Sequence, residues 1–190
     1  MALLKWGQRG WRAGSLFLLL AVLQFGGGAR AAEPSREYQL KAVFLFNFAQ
    51  FAEWPPESFA DKDAPLVIGI LGADPFGNFL TEMVRDEVVR GRRLVVERYQ
   101  KLEEIKTCHI LFISQSKAGE LDQILEALKA KPVLTVSDIA NSALRGVMIR
   151  FITEQNKIRF RINVEAVKAS NLSLSSKLLR SAEIVTTEKK

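Results

Sequence analysis

The 190-residue chain contains one cysteine and one histidine, and they are neighbours, Cys108 and His109. A single cysteine excludes an intrachain disulfide, so stability must come from packing rather than from covalent cross-links. A single histidine excludes a multi-histidine metal site, and a single thiol excludes a thiolate cluster. Cys108 opens the apolar run Cys108-His109-Ile110-Leu111-Phe112-Ile113, which reads as a buried strand; an inert core thiol is the favoured reading, with an intermolecular bridge or a reactive site as the alternative. Adjacent strand residues point to opposite faces, so these two do not make a Cys–His catalytic pair, and His109 reads as a structural residue at a strand end. Low-complexity tracts, internal repeats and a second long apolar run are also missing.

What is present begins with an address. Lys5, Arg9 and Arg12 precede the apolar run from Leu16 to Phe25; Gly26-Gly27-Gly28 breaks it, and Ala29-Arg30-Ala31 offers small residues at the two positions that signal peptidase reads. The run is about 10 residues, against roughly 20 for a membrane-spanning helix, so a cleaved signal peptide is favoured over a retained anchor. The expectation is cleavage after Ala31, export to the periplasm, and a single domain over 32–190. The leader holds four of the 27 basic residues (Lys5, Arg9, Arg12, Arg30) and no acid, so the remainder carries 23 basic against 21 acidic residues, near +2 rather than +6. That balance argues against nucleic acid as a partner.

The pattern then alternates. A helix is expected over about 36–52, with Leu40, Phe44, Phe48 and Phe51 as one stripe, Val43 and Leu45 widening it and Phe46 well off it; Trp54-Pro55-Pro56 stops it. Strand 66–71 leads through Gly72-Ala73-Asp74-Pro75 to a helix over 76–88, with Asp74 as N-cap and Pro75 in the first turn. Strands over 94–99, 108–113 and 132–136 follow, with a helix over 117–130 between the last two and Asp138 capping a short helix. Runs 147–152 and 157–162, joined by Thr153-Glu154-Gln155-Asn156, read as an antiparallel hairpin, and helices over 164–170 and 174–185 finish the chain. The fold class is α/β: a three-layer sandwich with a mixed, mostly parallel sheet, a C-terminal β-hairpin and helices after it.

Nothing in the chain assembles a catalytic constellation. Ser175-Ser176-Lys177 hints at serine–lysine chemistry, but helix neighbours lie about 100° apart, so capping is the better reading. Glu165, Asp138 and Asp74 have cap or surface explanations. The sharper candidates are interaction sites. Strand alternation puts Ile158, Phe160 and Ile162 on one hairpin face and Lys157, Arg159 and Arg161 on the other, where Arg150 joins them; this is either a solvated face or a basic patch for an acidic partner. Phe46 is a candidate for a dimer seam or docking site. Gly72 and Asp74 mark a strand-end turn that is either a plain tight turn, the favoured reading, or a small-anion site of the kind α/β sheets build there, although the G-x-G-x-x-G spacing is absent.

Several stretches together resemble the YfiR family of small periplasmic proteins. They are Tyr38-Gln39-Leu40-Lys41-Ala42-Val43-Phe44-Leu45-Phe46-Asn47-Phe48 with Trp54-Pro55, Gly72-Ala73-Asp74-Pro75-Phe76-Gly77, Cys108 to Ser114, Leu134-Thr135-Val136, Lys157-Ile158-Arg159-Phe160-Arg161-Ile162-Asn163 and Ser175-Ser176-Lys177-Leu178-Leu179. The resemblance implies a non-enzymatic regulator without cofactors, a homodimer, which restrains an inner-membrane diguanylate cyclase and so bears on cyclic di-GMP and biofilm formation. Two departures stand out. The lone Cys108 cannot supply the disulfide control of the best-known members, and Arg145-Gly146 replaces a paired-glycine turn. The alternative reading is a periplasmic small-ligand sensing module; an exported enzyme ranks third.

Overall fold

The computed structural model describes residues 34–155 and 157–187. The segment read as a signal peptide and its cut after Ala31 lie outside the described residues, as does Asn156 of the hairpin turn.

Helix α1 spans Arg36–Phe51 and gives way to β1, Ala52–Glu53. The core strand β2, Leu66–Leu71, leads to α2, Gly77–Val84, and then to β3, Val88–Val89, and β4, Arg92–Tyr99. Next come β5, Ile110–Ile113, α3, Leu121–Ala127, and β6, Leu134–Ser137. The hairpin is β7, Ile149–Glu154, and β8, Lys157–Asn163. Helix α4, Val164–Ala169, β9, Ser173–Leu174, α5, Ser176–Arg180, and β10, Glu183–Val185, complete the order.

One eight-stranded sheet has the order β10-β8-β7-β6-β5-β2-β4-β3, and β1 pairs with β9 separately. The five central strands, β7 to β4, run parallel; β8 and β3 pair antiparallel to β7 and β4, and β10 runs parallel to β8. One face of the sheet, with Ile68, Ile70, Phe112, Val136, Ile149 and Phe151, packs on α1 and α2. The other, with Leu71, Leu111 and Ile113, packs on Leu121, Ile124 and Leu128 of and just after α3. Both faces of the central strands are covered, which is why β2 and β5 read as unbroken apolar runs. The expected three-layer α/β sandwich with a mixed, mostly parallel sheet is the architecture observed.

Local boundaries differ for identifiable reasons. The helix expected over 76–88 ends at Val84, because Arg85 is extended and Asp86 takes φ +64°; Arg90 and Gly91, at +52° and +80°, then turn the chain into the β3–β4 hairpin. The helix expected over 117–130 begins as a 3-10 turn, Gln115–Glu120, before α3. The helix expected over 174–185 breaks after Arg180, and its tail becomes the edge strand β10. Ser175 does cap α5, its Oγ accepting from the Leu178 N–H. The buried face of α1 is Lys41, Ala42, Leu45, Phe48 and Ala49, rotated from the expected stripe, and Leu40 is 41% exposed. So many apolar residues line this helix that periodicity alone does not choose the side that meets the sheet.

Candidate functional site

The hairpin register places Arg150 directly opposite Arg161 and Ile152 opposite Arg159, so the structure brings the three arginines onto one face. β6 reaches only as far as Ser137 beside Arg150, so the rest of β7 pairs with β8 alone and overhangs the parallel sheet. The arginines differ in their surroundings. Arg161 Nε donates to Glu183 Oε2 at 2.8 Å, on the strand next door. Arg150 is half-buried with its Nε unpartnered, and burial, followed by the Arg161 charge, pulls its guanidinium below its ordinary value. Arg159 and Lys157 are exposed, and Arg159 forms no ion pair among the described residues. The patch is thus a short strip led by Arg159, with Glu154 and Glu183 interleaved.

Phe46 is half-buried and packs against the core; the exposed apolar residues of α1 are Leu40 and Val43, at 41% and 40%. Three residues apart, these two share a helix face and form the outward apolar surface that sequence reasoning assigned to Phe46.

Gly72 and Asp74 lie at the carboxyl end of β2, where the strand order reverses between β4 and β5. Gly72 has φ +96°, and a Cβ there would collide with Ser116 Oγ, which accepts from the Ala73 N–H at 2.9 Å. Asp74 Oδ1 accepts from the N–H groups of Phe76 and Gly77, and Oδ2 from Arg98 Nε at 2.7 Å. The groups that would greet an anion are engaged with the chain itself. A cavity of about 540 Å³ lies elsewhere, lined by Leu125, Leu128, Leu144, Met148, Ala166 and Ala169 among others.

A buried charge cluster was missed from sequence. Lys41 is 2% exposed, and its ammonium donates to Asp138 Oδ2 at 2.6 Å and to Glu37 Oε1 at 2.7 Å, above the Tyr38 ring. The Tyr38 hydroxyl donates to the same Asp138 oxygen at 2.9 Å, and Thr153 Oγ1 donates to Glu37. Asp138 is therefore not a helix cap; it anchors α1 to the end of β6, and its buried Oδ1 has no partner. The Lys41 hydrogen bond holds the Glu37 carboxyl low, while burial and Asp138 raise the Tyr38 phenol. The available signal was a lysine within the apolar stretch of α1.

Cys108 is buried, donates to the Ile110 carbonyl, and has its thiol pushed up to about 12 by burial. Among the described residues no group of three or more His, Cys, Asp or Glu side chains is placed to hold a metal. A family model described as YfiR/HmsC-like matches residues 38–183, from the start of α1 to the first residue of β10. The family is one of regulators rather than enzymes, in the setting of cyclic di-GMP signalling. With more than three quarters of its length inside that match, the chain belongs to the YfiR/HmsC-like family.

Proposed function

We propose that this chain is a periplasmic regulator that binds and restrains an inner-membrane signalling protein, a diguanylate cyclase, and acts as a homodimer without cofactor. Family membership across 38–183 carries the reading. Two surfaces support it: the overhanging hairpin led by Arg159, suited to steering an acidic partner, and the outward pair Leu40 and Val43 on α1. The leader read from the sequence supports a site across the inner membrane from nucleotide chemistry, and from that site an effect on cyclic di-GMP would pass through a membrane-spanning partner.

The test joins capture to output. Protein recovered from the periplasm, its N-terminus sequenced, should retain a membrane protein bearing a cyclase output domain from solubilised inner membranes. Arg159→Glu and Val43→Asp should each weaken capture about tenfold, which corresponds to about 1.4 kcal/mol. Deleting the gene should raise cyclic di-GMP. Failure to capture together with unchanged cyclic di-GMP overturns the reading. The small-ligand alternative at Gly72 and Asp74 has less support, because the turn's donors and acceptors are already used internally.

A further inference from the structure

The chain's one histidine sits at the amino end of β5, 1% exposed, and every polar atom it offers holds something. Nδ1 accepts from the Val67 backbone N–H at 3.0 Å, and Nε2 lies 3.2 Å from the Ser58 carbonyl, to which it donates. That pair of partners requires the neutral ring with its proton on Nε2. The Phe59 ring stacks on the imidazole at 4.4 Å, and the Arg92 guanidinium lies over the Phe59 ring, 3.7 Å from its centroid. Trp54 stands edge-on to the imidazole, and its indole N–H donates to the His109 carbonyl at 3.1 Å. His109 thus grips both ends of the strap from Trp54 to Phe59 that joins β1 to the sheet. Ser58 Oγ, buried in that strap without a partner, adds nothing to the hold.

We propose that His109 is a proton-operated latch: a proton added at Nδ1 sets a donor against the Val67 N–H of β2, so the ring must turn away, and that turn carries Nε2 off the Ser58 carbonyl and the imidazole out of its contacts with Phe59 and Trp54, letting the Trp54–Phe59 strap lift from the amino ends of β2 and β5. The hydrogen bond to the Ser58 carbonyl favours the protonated ring, whereas the charge of Arg92 on β4 opposes it. Burial, the largest influence, also lowers the ring below its ordinary 6.5, so the closed strap is fully favoured above pH 6.5. Between 6.5 and the lower folded value, the closed-to-open ratio falls by up to about tenfold per pH unit. This goes beyond the regulator reading and does not rest on it, since the latch is measured on the isolated chain.

Trp54 is one of three tryptophans, the others being Trp6 and Trp11. In the full chain carrying Trp6→Phe and Trp11→Phe it is the sole reporter, whether or not the leader is removed. Lowering the pH from 8 to 4.5 should red-shift its emission and raise acrylamide quenching several-fold, with the far-ultraviolet circular dichroism retained. In His109→Gln, an amide that does not titrate, the change should disappear. Flat emission in the parent, or an unaltered transition in His109→Gln, overturns the latch. If His109→Gln does not fold, ring NMR of the parent decides: a His109 titration coincident with the Trp54 change supports the latch, and a titration without it overturns it.

Discussion

Replacing Lys41 by methionine should cost about 3–5 kcal/mol of folding stability, the range for removing one partner of a buried ion pair. Methionine is unbranched and close to lysine in length, so it fills the same channel along the Tyr38 ring and little of the cost comes from a cavity. The cost comes from Asp138. Its side chain is 7% exposed, its Oδ1 already lacks a partner, and without Lys41 its Oδ2 keeps only the Tyr38 hydroxyl. The Lys41–Glu37 contact adds little, because Glu37 is 40% exposed and the pair is an ordinary i,i+4 one. Urea unfolding followed by circular dichroism reads the effect: at a slope of about 2 kcal/mol/M, the midpoint should fall by about 1.5–2.5 M. Adding Asp138→Asn removes the stranded charge and should recover most of the loss, so the two substitutions will be far from additive. A midpoint shift below about 0.5 M for Lys41→Met, or a double variant no better than the single one, refutes the reasoning.

Gly69→Ala should destabilise by about 1–3 kcal/mol in the same assay, because the new methyl would lie 2.8 Å from both Cys108 Sγ and Tyr99 Cε2 in the packed face under α3. Cys108 should resist a thiol reagent at pH 8 in the native protein and react fully in denaturant; rapid native labelling would contradict its burial and its thiol pushed up to about 12. Arg159→Glu should leave the melting temperature nearly unchanged, whereas Arg161→Glu should lower it by setting like charges against Glu183 on β10. Equal melting curves for the two would show that the Arg161–Glu183 pair contributes nothing.

Much of the sheet was legible along the chain. β2, β5, the hairpin and the cap at Ser175 each carry a local signal: an unbroken apolar run, a two-residue alternation, or a hydroxyl before a helix. The late segments were harder. Residues 183–185 sit in a helix-compatible stretch and become β10 because the open side of β8 accepts them, a partner distant in sequence. Residues 85–91 become a turn and hairpin through left-handed backbone at Asp86, Arg90 and Gly91, of which Gly91 alone announces itself.

The candidate site divides the same way. Residue types and alternation by themselves determined that no intrachain disulfide or multi-histidine site can form within this sequence, that Arg150, Arg159 and Arg161 share a hairpin face, and that Cys108 reads as a core thiol. These depend on counting or on the two-residue period of a strand, which a sequence carries in full. Only the tertiary structure decided that Leu40 and Val43 rather than Phe46 face outward, that Asp138 meets Lys41 across 97 positions, and that His109 holds Trp54 and Ser58. The rotation of an all-round apolar helix and the partner of a buried charge are set by what packs against them, and packing brings together residues whose distance along the chain says nothing of their distance in space.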